Sequence, residues 1–583
     1  MRKRVRQLLA PLRPLPGYDY EHYSRLAGPL TTTRGSGPTR VRYRSLLSME
    51  PHRFRAALLL IAAPVLSLAL LVWLLQPAHW LHSPGTWPVM VALLGGIEAA
   101  RLVMITSNAH AALFARDPVP LVPETGTRVA FLTAFVPGKE PLEMLRNTLT
   151  AAVRVRHRGL VHVWLLDEGD DPEARAMCED LGVHHFSRKG VPRWNQRKGN
   201  LRAKTKHGNY NAWLDAHGAD YEFIAAVDTD HVPLPNFLER MLGYFRDKDV
   251  AFVVGPQVYG NYDNAVTRGA ESQQYLFHAL IQRAGNRYGS PMLVGTNLTV
   301  RRSVLQQIGG FQDSITEDFL TGLRIHQGRN PDTGQRWRSV YTPDVLAVGE
   351  GPSSWTDFFT QQMRWSRGTY ETLLTAFWKA PFTLSRGTLL NYLFLLSWYP
   401  LVSLTWILAG VSLGLYYMQG AGSVTVDPVL WLLLFGNATA LQIGLYVWNR
   451  RHNVSPHEPA GSSGVAGMAM SAILAPIYAW TLLNALLRRR SRFVVTPKGD
   501  SASPDVLGST FRVHLFWATC LTGLAVYGAF AGRTHPAMLV WTTLTVLVCL
   551  APVLVYVVQS RRLRREWQDR REASRTGTDE TRR

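Results

Sequence analysis

Seven apolar stretches of roughly 20 residues, two near the start of the chain and five in its last third, limit what this sequence can fold into. They are Ala56–Leu75, Trp87–Ser107, Leu389–Met418, Pro428–Trp448, Val465–Leu487, His514–Ala531 and Ala537–Val558. Each is long enough, as a helix, to cross the hydrocarbon of a bilayer. The polar stretch between the two groups must therefore fold separately, outside the membrane.

The charge pattern supports this division. Lys and Arg number 63 against 42 Asp and Glu, a net charge of +21. The basic residues gather beside the apolar blocks, which is the positive-inside bias of a membrane protein. No nucleic-acid motif accompanies them, so no nucleic-acid partner is expected. Cys178, Cys520 and Cys549 offer neither a disulfide framework nor a zinc site, since two of them lie in apolar blocks. Residues 1–55 carry twelve Lys/Arg and only Asp19, Glu21 and Glu50 as acids, too long and polar for a signal peptide. They read as a basic cytoplasmic arm.

Parity then sets a topology. With the arm inside, two crossings return the chain to the cytoplasm for its central domain, and two more place Arg450-Arg451 there. A further crossing by Val465–Leu487 would put Arg488-Arg489-Arg490 and the basic tail outside, against the bias. That stretch holds Gly467, Pro476 and Asn484, and is read as lying on the membrane surface or re-entering. Six spans then leave outer loops 76–86, 419–427 and 532–536 with one basic residue, Arg533. Glu98 and Arg101, three apart on one helix face, either pair with each other or line a polar pathway.

The expected organisation is a basic arm (1–55), two membrane helices (56–115), a globular domain (116–354), interface helices (355–384), two membrane helices (385–448), an interface helix and loop (449–513), two membrane helices (514–558) and a basic tail (559–583). In the globular domain, strands are expected at Val129–Phe135, Val161–Leu166, Glu222–Val227 and Val250–Val254. Helices are expected at Leu142–Val153, Pro172–Leu181, Lys206–Ala216 and Pro235–Phe245. Such alternation argues for an α/β, Rossmann-like and largely parallel sheet, whose ligands sit at the C-terminal strand ends. Two strands run into acids there, Asp167-Glu168 and Asp228-Thr229-Asp230-His231.

Asp228 and Asp230, two apart on an extended chain, would point the same way. Together they suit a hard divalent cation that keeps positions open for phosphate oxygens. His231 is either a further ligand or a support for one. Thr316-Glu317-Asp318 reads as a capped helix start that places a carboxylate rigidly, as a general base requires. Gln361-x-x-Arg364-Trp365 lies in an amphipathic stretch fit for a membrane interface.

As an ordered set, Lys206-His207-Gly208-Asn209-Tyr210-Asn211, the Asp228/Asp230 pair, Gly295-Thr296-Asn297, Thr316-Glu317-Asp318 and Gln361-x-x-Arg364-Trp365 closely resemble the processive members of glycosyltransferase family 2, the cellulose synthase catalytic subunits and their relatives. Phe493-Val494-Val495-Thr496-Pro497-Lys498-Gly499 resembles that family's gating loop. The resemblance implies a GT-A domain embedded in transmembrane helices, a nucleotide-sugar donor (UDP-glucose or UDP-N-acetylglucosamine), and Mg2+ or Mn2+ held by Asp228 and Asp230. It implies a growing polysaccharide as acceptor, membrane lipid around the helices, and a partner from the cell envelope. Asp318 would be the base, with Glu317 beside it as a substrate-binding residue. Asp167 would contact the nucleotide, Lys206 and Asn209 would border the nucleotide and diphosphate, and Thr496 and Lys498 would touch the nucleotide when the loop is closed. Arg364 would face the diphosphate and Trp365 would stack on the acceptor sugar, with Gln361 a further substrate-binding residue.

The chain departs from the family pattern where Glu168 replaces a second Asp, and where the loop after the first strand reads Pro137-Gly138-Lys139-Glu140. Two other functions fit parts of the pattern. One is a non-processive transferase acting on a lipid or short acceptor, and the other is a nucleotide-binding transporter or channel.

Overall fold

The structure, a computed structural model, describes residues 26–32, 39–80, 85–421, 425–458, 461–489 and 502–580, and from residue 562 onward only the course of the helix. It begins with β1 (Tyr43–Ser45), α1 (Arg53–Leu74), α2 (Trp87–Phe114) and β2 (Arg116–Pro118). The globular domain follows as β3 (Arg128–Phe135), α3 (Leu142–Ala152), β4 (Leu160–Asp167), α4 (Pro172–Leu181), β5 (His184–Phe186) and α5 (Lys206–His217). Next come β6 (Phe223–Asp228), β7 (His231–Pro233), α6 (Phe237–Leu242), β8 (Val250–Val254) and α7 (Ala265–Leu276). The domain closes with β9 (Leu298–Arg301), α8 (Arg302–Ile308), α9 (Glu317–Gln327), β10 (Arg338–Tyr341) and β11 (Ala347–Gly349). Helices complete the chain: α10 (Trp355–Thr375), α11 (Arg386–Gln419), α12 (Pro428–Asn449), α13 (Val465–Ile473), α14 (Ala475–Leu486), α15 (Arg512–Phe530) and α16 (Pro536–Glu580).

Seven strands form one sheet in the order β10-β8-β9-β6-β3-β4-β5. The β6-β3-β4-β5 half is parallel, as the alternating pattern predicts. The other half departs from it, because β9 runs antiparallel between β6 and β8. Leu298–Arg301 is too short a run to declare itself in the sequence, and it alone of the sheet's seven strands runs against the others, directly after Gly295-Thr296-Asn297. Both faces of the sheet are covered, one by a core around Phe131, Leu149 and Val227, the other by one around Leu132, Trp213 and Val254. This mixed sheet is the GT-A-type core that the resemblance implies.

Local signals explain the element limits. Asp171 starts α4 by accepting from Glu173 N at 2.9 Å and Ala174 N at 3.0 Å, with Pro172 in the first turn and Gly182 left-handed at φ 67° after the last. At α10, Ser354 accepts from Asp357 N at 3.1 Å. Asp505, far along the chain, takes Trp355 N at 3.1 Å and Thr356 N at 2.8 Å. Ser503 N donates to Asp357 at 2.9 Å, and Arg367 donates to Arg489 O at 2.8 Å. The chain is thus fastened to α10 at Arg489 and again at Ser503–Asp505. Thr496 and Lys498, with the whole motif Phe493–Gly499, lie outside the described residues.

Among the described residues, seven helices are long and apolar enough to cross a membrane. The one at Val465–Leu486 stands apart, with 56% of its apolar window buried against 11–28% for the other six. It is broken near Pro476 into α13 and α14. α13 packs on α7 of the globular domain, and a Cβ on Gly467 would fall 2.4 Å from Ser272 O. α14 packs on α10 and α11. Of the two readings of Glu98 and Arg101, the structure shows pairing. Arg101 Nε donates to Glu98 at 2.8 Å, its Nη1 lies 3.5 Å from Thr439 Oγ1, and its guanidinium sits 4.8 Å over Phe435. The pair fastens α2 to α12 and does not line the cavity described below.

Candidate active site

Strand ends β4 and β6, the first turn of α5, the start of α9 and the middle of α10 converge on one space. Asp228 ends β6, its backbone N donating to Thr296 Oγ1 at 3.0 Å. Thr229 and Asp230 then form a turn rather than the extended chain expected from the spacing. The turn itself gathers ligands, since one side-chain atom each from Asp228, Asp230 and His231 lie within 4.8 Å of one another. His231 Nδ1 lies 3.2 Å from Asp230 Oδ1, and its ring packs on Gly349 of β11, where a Cβ would fall 2.4 Å from Nε2. An all-oxygen pair with a buried imidazole behind it suits a hard divalent ion. The Lys206 ammonium already rests on Asp228, so this structure places a cation at that carboxylate.

Lys206 opens α5, with Thr205 capping the helix by accepting from Gly208 N at 3.2 Å. Its Nζ also donates to Gly295 O at 2.6 Å. Burial alone would lower its pKa, but Asp228, Tyr210 and Glu317 outweigh burial and keep it charged. A Cβ built on Gly295 would lie 3.4 Å from Asp318 Oδ2, 3.6 Å from Lys206 Nζ and 3.8 Å from Glu317 Oε1. Three charged groups therefore face one point, and the glycine leaves that point open.

Glu317 and Asp318 begin α9 as the sequence predicts, but Thr316 does not cap it with its side chain. Thr316 Oγ1 is buried without a hydrogen-bond partner among the described residues. Asp318 Oδ1 instead accepts from Phe319 N at 2.8 Å. Burial pushes both carboxyls above their ordinary values, and the Arg364 charge partly offsets this for Asp318. A carboxylate of raised basicity, fixed at a helix start, is what a general base needs.

Other expected residues take distinct positions. Asp167 is fully buried and organises its own loop, accepting from Gly169 N at 2.9 Å, Asp171 N at 2.5 Å and His185 Nε2 at 3.1 Å. Glu168 pairs with Arg188 and accepts from Lys204 N at 3.0 Å, holding the segment that leads to Lys206. Asn209 Nδ2 donates to Leu166 O at 3.1 Å, joining α5 to the end of β4. On α10, Trp365 and Gln362 wall the cavity, whereas Gln361 is buried outside its lining. Gln362 accepts from Tyr478 O–H at 2.6 Å.

That cavity, about 660 Å3, runs from Gly295, Asp318 and Trp365 in among α1, α2, α11, α12 and α13. Its walls mix carboxamides (Gln257, Gln274, Gln442) with aliphatic side chains such as Leu60, Ile105 and Ile443.

Sequence reasoning missed Glu140, whose carboxylate accepts from Val136 N at 2.9 Å behind the Asp228/Asp230 turn. Burial and those two aspartates push it up to about 7. Its position just after β3 was the available signal. It also missed Gly368 on α10, where a Cβ would fall 2.4 Å from Thr316 Oγ1.

Comparisons with known proteins agree with this geometry. Residues 135–309 match the family model described as Glycosyl transferase family 2, and residues 223–448 match Glycosyl transferase family group 2. The cellulose synthase catalytic subunit [UDP-forming] of Xanthomonas axonopodis pv. citri (strain 306) is 29% identical over 262 residues, 43% of this chain and 33% of that protein. Its counterpart in Pseudomonas fluorescens (strain SBW25) is 27% identical over 343 residues, 57% of this chain and 43% of that protein. The one from Komagataeibacter sucrofermentans is 28% identical over 262 residues, 43% of this chain and 32% of that protein. The chain thus spans less than half the length of these curated relatives. Among solved structures, the mannosyltransferase PcManGT from Pyrobaculum calidifontis, in complex with GDP-Man and Mn2+, superposes with TM-score 0.45 at 14% identity, over 69% of this chain and 100% of that one. The two family models together run from the end of β3 to the end of α12 and enclose every motif from Asp167 to Trp365, so the chain carries a family 2 glycosyltransferase domain similar to that of cellulose synthase catalytic subunits.

Proposed function

We infer that the chain polymerises a hexose from UDP-glucose, or UDP-N-acetylglucosamine, into a β-linked polysaccharide by inverting transfer, and passes the product across the membrane. The observation that carries this reading is the convergence of Asp318, Glu317 and Lys206 over Gly295, at the mouth of a cavity that continues among apolar helices.

Asp318 takes the proton of the acceptor hydroxyl as that oxygen attacks the anomeric carbon. One displacement inverts the centre, so an α-linked donor gives a β-linkage. Asp228 and Asp230, with His231 behind them, would hold Mg2+ or Mn2+, which would supply Lewis-acid neutralisation of the departing diphosphate. Lys206 and Arg364 add fixed positive charge beside it. Trp365 offers an apolar face for the acceptor ring. The buried, broken helix pair α13–α14 supports a surface or re-entrant placement for Val465–Leu487, which keeps both termini and the catalytic domain on the cytoplasmic side.

A second reading, transfer of one sugar to a lipid-linked acceptor, draws on the aliphatic part of the cavity wall. A donor screen on purified protein in detergent, reading nucleotide release and product length together, separates the two. Long glycosidase-sensitive chains support polymer synthesis, and single-sugar products support the second reading. Absence of turnover with every nucleotide sugar overturns both.

A further inference from the structure

Negative charge outweighs positive where β6, α5 and α9 meet. Glu317 and Asp318 face the open point over Gly295, Asp228 holds the Lys206 ammonium beside it, and Asp230 and Glu140 stand behind Asp228. The Lys206 ammonium enters this group from the first turn of α5. It pairs with Asp228 Oδ1, donates to Gly295 O at 2.6 Å and lies 5.8 Å from the Tyr210 ring centroid. It therefore rests on the carboxylate that the Asp228/Asp230/His231 group offers to a metal. A divalent ion sits roughly 2.0–2.2 Å from a carboxylate oxygen and an ammonium roughly 2.7–2.9 Å, so on one carboxylate the two stand close enough for strong like-charge repulsion.

We propose that Lys206 is a tethered counter-cation that holds the place of the divalent ion at Asp228 in the donor-free protein, and that the metal must displace it to bind. This rests on the reading of Asp228 and Asp230 as metal ligands. Neutralising Asp228 by a lysine keeps the crowded carboxylates compatible with a folded, donor-free site. The same neutralisation lowers the fraction of molecules ready to accept a metal, which weakens metal affinity by that fraction. Once displaced, the ammonium remains tethered beside Gly295, where a diphosphate anion brings it a new partner. Metal and nucleotide thereby favour each other's binding, and a metal without nucleotide is held weakly.

The test is titration of the full chain in detergent with Mn2+ alone, following the electron paramagnetic resonance of free ion, for wild type, Lys206→Gln, Lys206→Arg and Arg364→Gln. Lys206→Gln is expected to bind Mn2+ about tenfold more tightly than wild type. Lys206→Arg should stay within about twofold of wild type, as should Arg364→Gln. Equal or weaker binding by Lys206→Gln overturns the proposal. So does an equal gain in Arg364→Gln, which would trace the effect to any lost positive charge nearby. A measurement on the unaltered protein guards against a variant that fails to fold. Acylation of Lys206, read by mass spectrometry, should speed up several-fold when Mn2+ is added without nucleotide, and an unchanged or slower rate overturns displacement. Failure of wild type to bind Mn2+ even with UDP present overturns the metal reading itself, and this proposal with it.

Discussion

Gly368 of α10 lies so close to Thr316 that a Cβ built on it would sit 2.4 Å from both Cγ2 and Oγ1. This contact joins the helix carrying Arg364 and Trp365 to the residue preceding Glu317 and Asp318. Only a residue without a side chain lets the two approach. Gly368→Ala is expected to push α10 away from the start of α9 and lower kcat at least tenfold, with nucleotide binding retained. A displacement of about 1 Å at reacting groups is worth up to a hundredfold in rate. Wild-type kcat in that variant would show that the spacing is not used.

Asp318→Asn removes the proposed base and keeps the shape of the side chain, including its acceptor for Phe319 N. Transfer should fall by about 10²–10⁴-fold while UDP binding stays within twofold. Near-normal synthesis by this variant would remove Asp318 from the mechanism.

Strands β3, β4 and β6 of the parallel half were legible because each is a run of apolar residues ending in a turn or an acid, whereas the short, His-rich β5 was not. Outside that half, strand β8 at Val250–Val254 and helix α4 at Pro172–Leu181 were expected to the residue. The antiparallel β9 was not legible, since a four-residue strand has no periodicity of its own and is defined by its neighbours. The site followed the same rule. Asp228, Asp318 and Trp365 could be named from local motifs, whereas Glu140 and Gly368 matter only through contacts with distant segments. The geometry of Asp230 was misjudged because spacing alone cannot tell an extended pair from a turn.

Activity should depend on pH through Asp318. Burial raises its carboxyl above the ordinary 3.8, and a base works only when deprotonated. Transfer should therefore be lost as pH falls through the raised value and recovered as pH rises. The Arg364 charge lowers the same carboxyl, so Arg364→Gln should move the acid limb to higher pH, besides slowing the reaction. The check is a pH profile of kcat/KM for both proteins. An acid limb that stays put, or moves to lower pH, counts against the coupling.

Glu271 on α7 makes a stability prediction of definite sign. It accepts from Tyr259 N at 3.1 Å, and burial raises its pKa from 4.5 to about 8. The folded state thus binds a proton that the unfolded state releases between those values. Stability from this group is present below about 4.5 and is lost as pH rises toward about 8. Glu271→Gln, which never titrates, should flatten that decline, so that its melting temperature exceeds wild type at alkaline pH and not at acid pH. Parallel melting curves at both ends of the range would remove Glu271 as the cause.

The Glu98–Arg101 pair tests how charge is tolerated among the apolar helices. Both side chains are nearly buried, at 13% and 14% exposure, and Arg101 also reaches Thr439 and Phe435 on α12. Glu98→Ala leaves a guanidinium without its carboxylate in a site poor in water, which should cost roughly 3–5 kcal/mol. Replacing both residues by alanine removes the stranded charge as well as the pair, so the double variant should be more stable than the single one. Unfolding in detergent, followed by tryptophan fluorescence, orders the three proteins. A double variant less stable than Glu98→Ala would show that the pair itself, rather than neutrality, holds α2 to α12. Because neither residue lines the cavity, the double variant should also make and release product at the wild-type rate. Synthesis without release would restore the two residues to the path of the polymer.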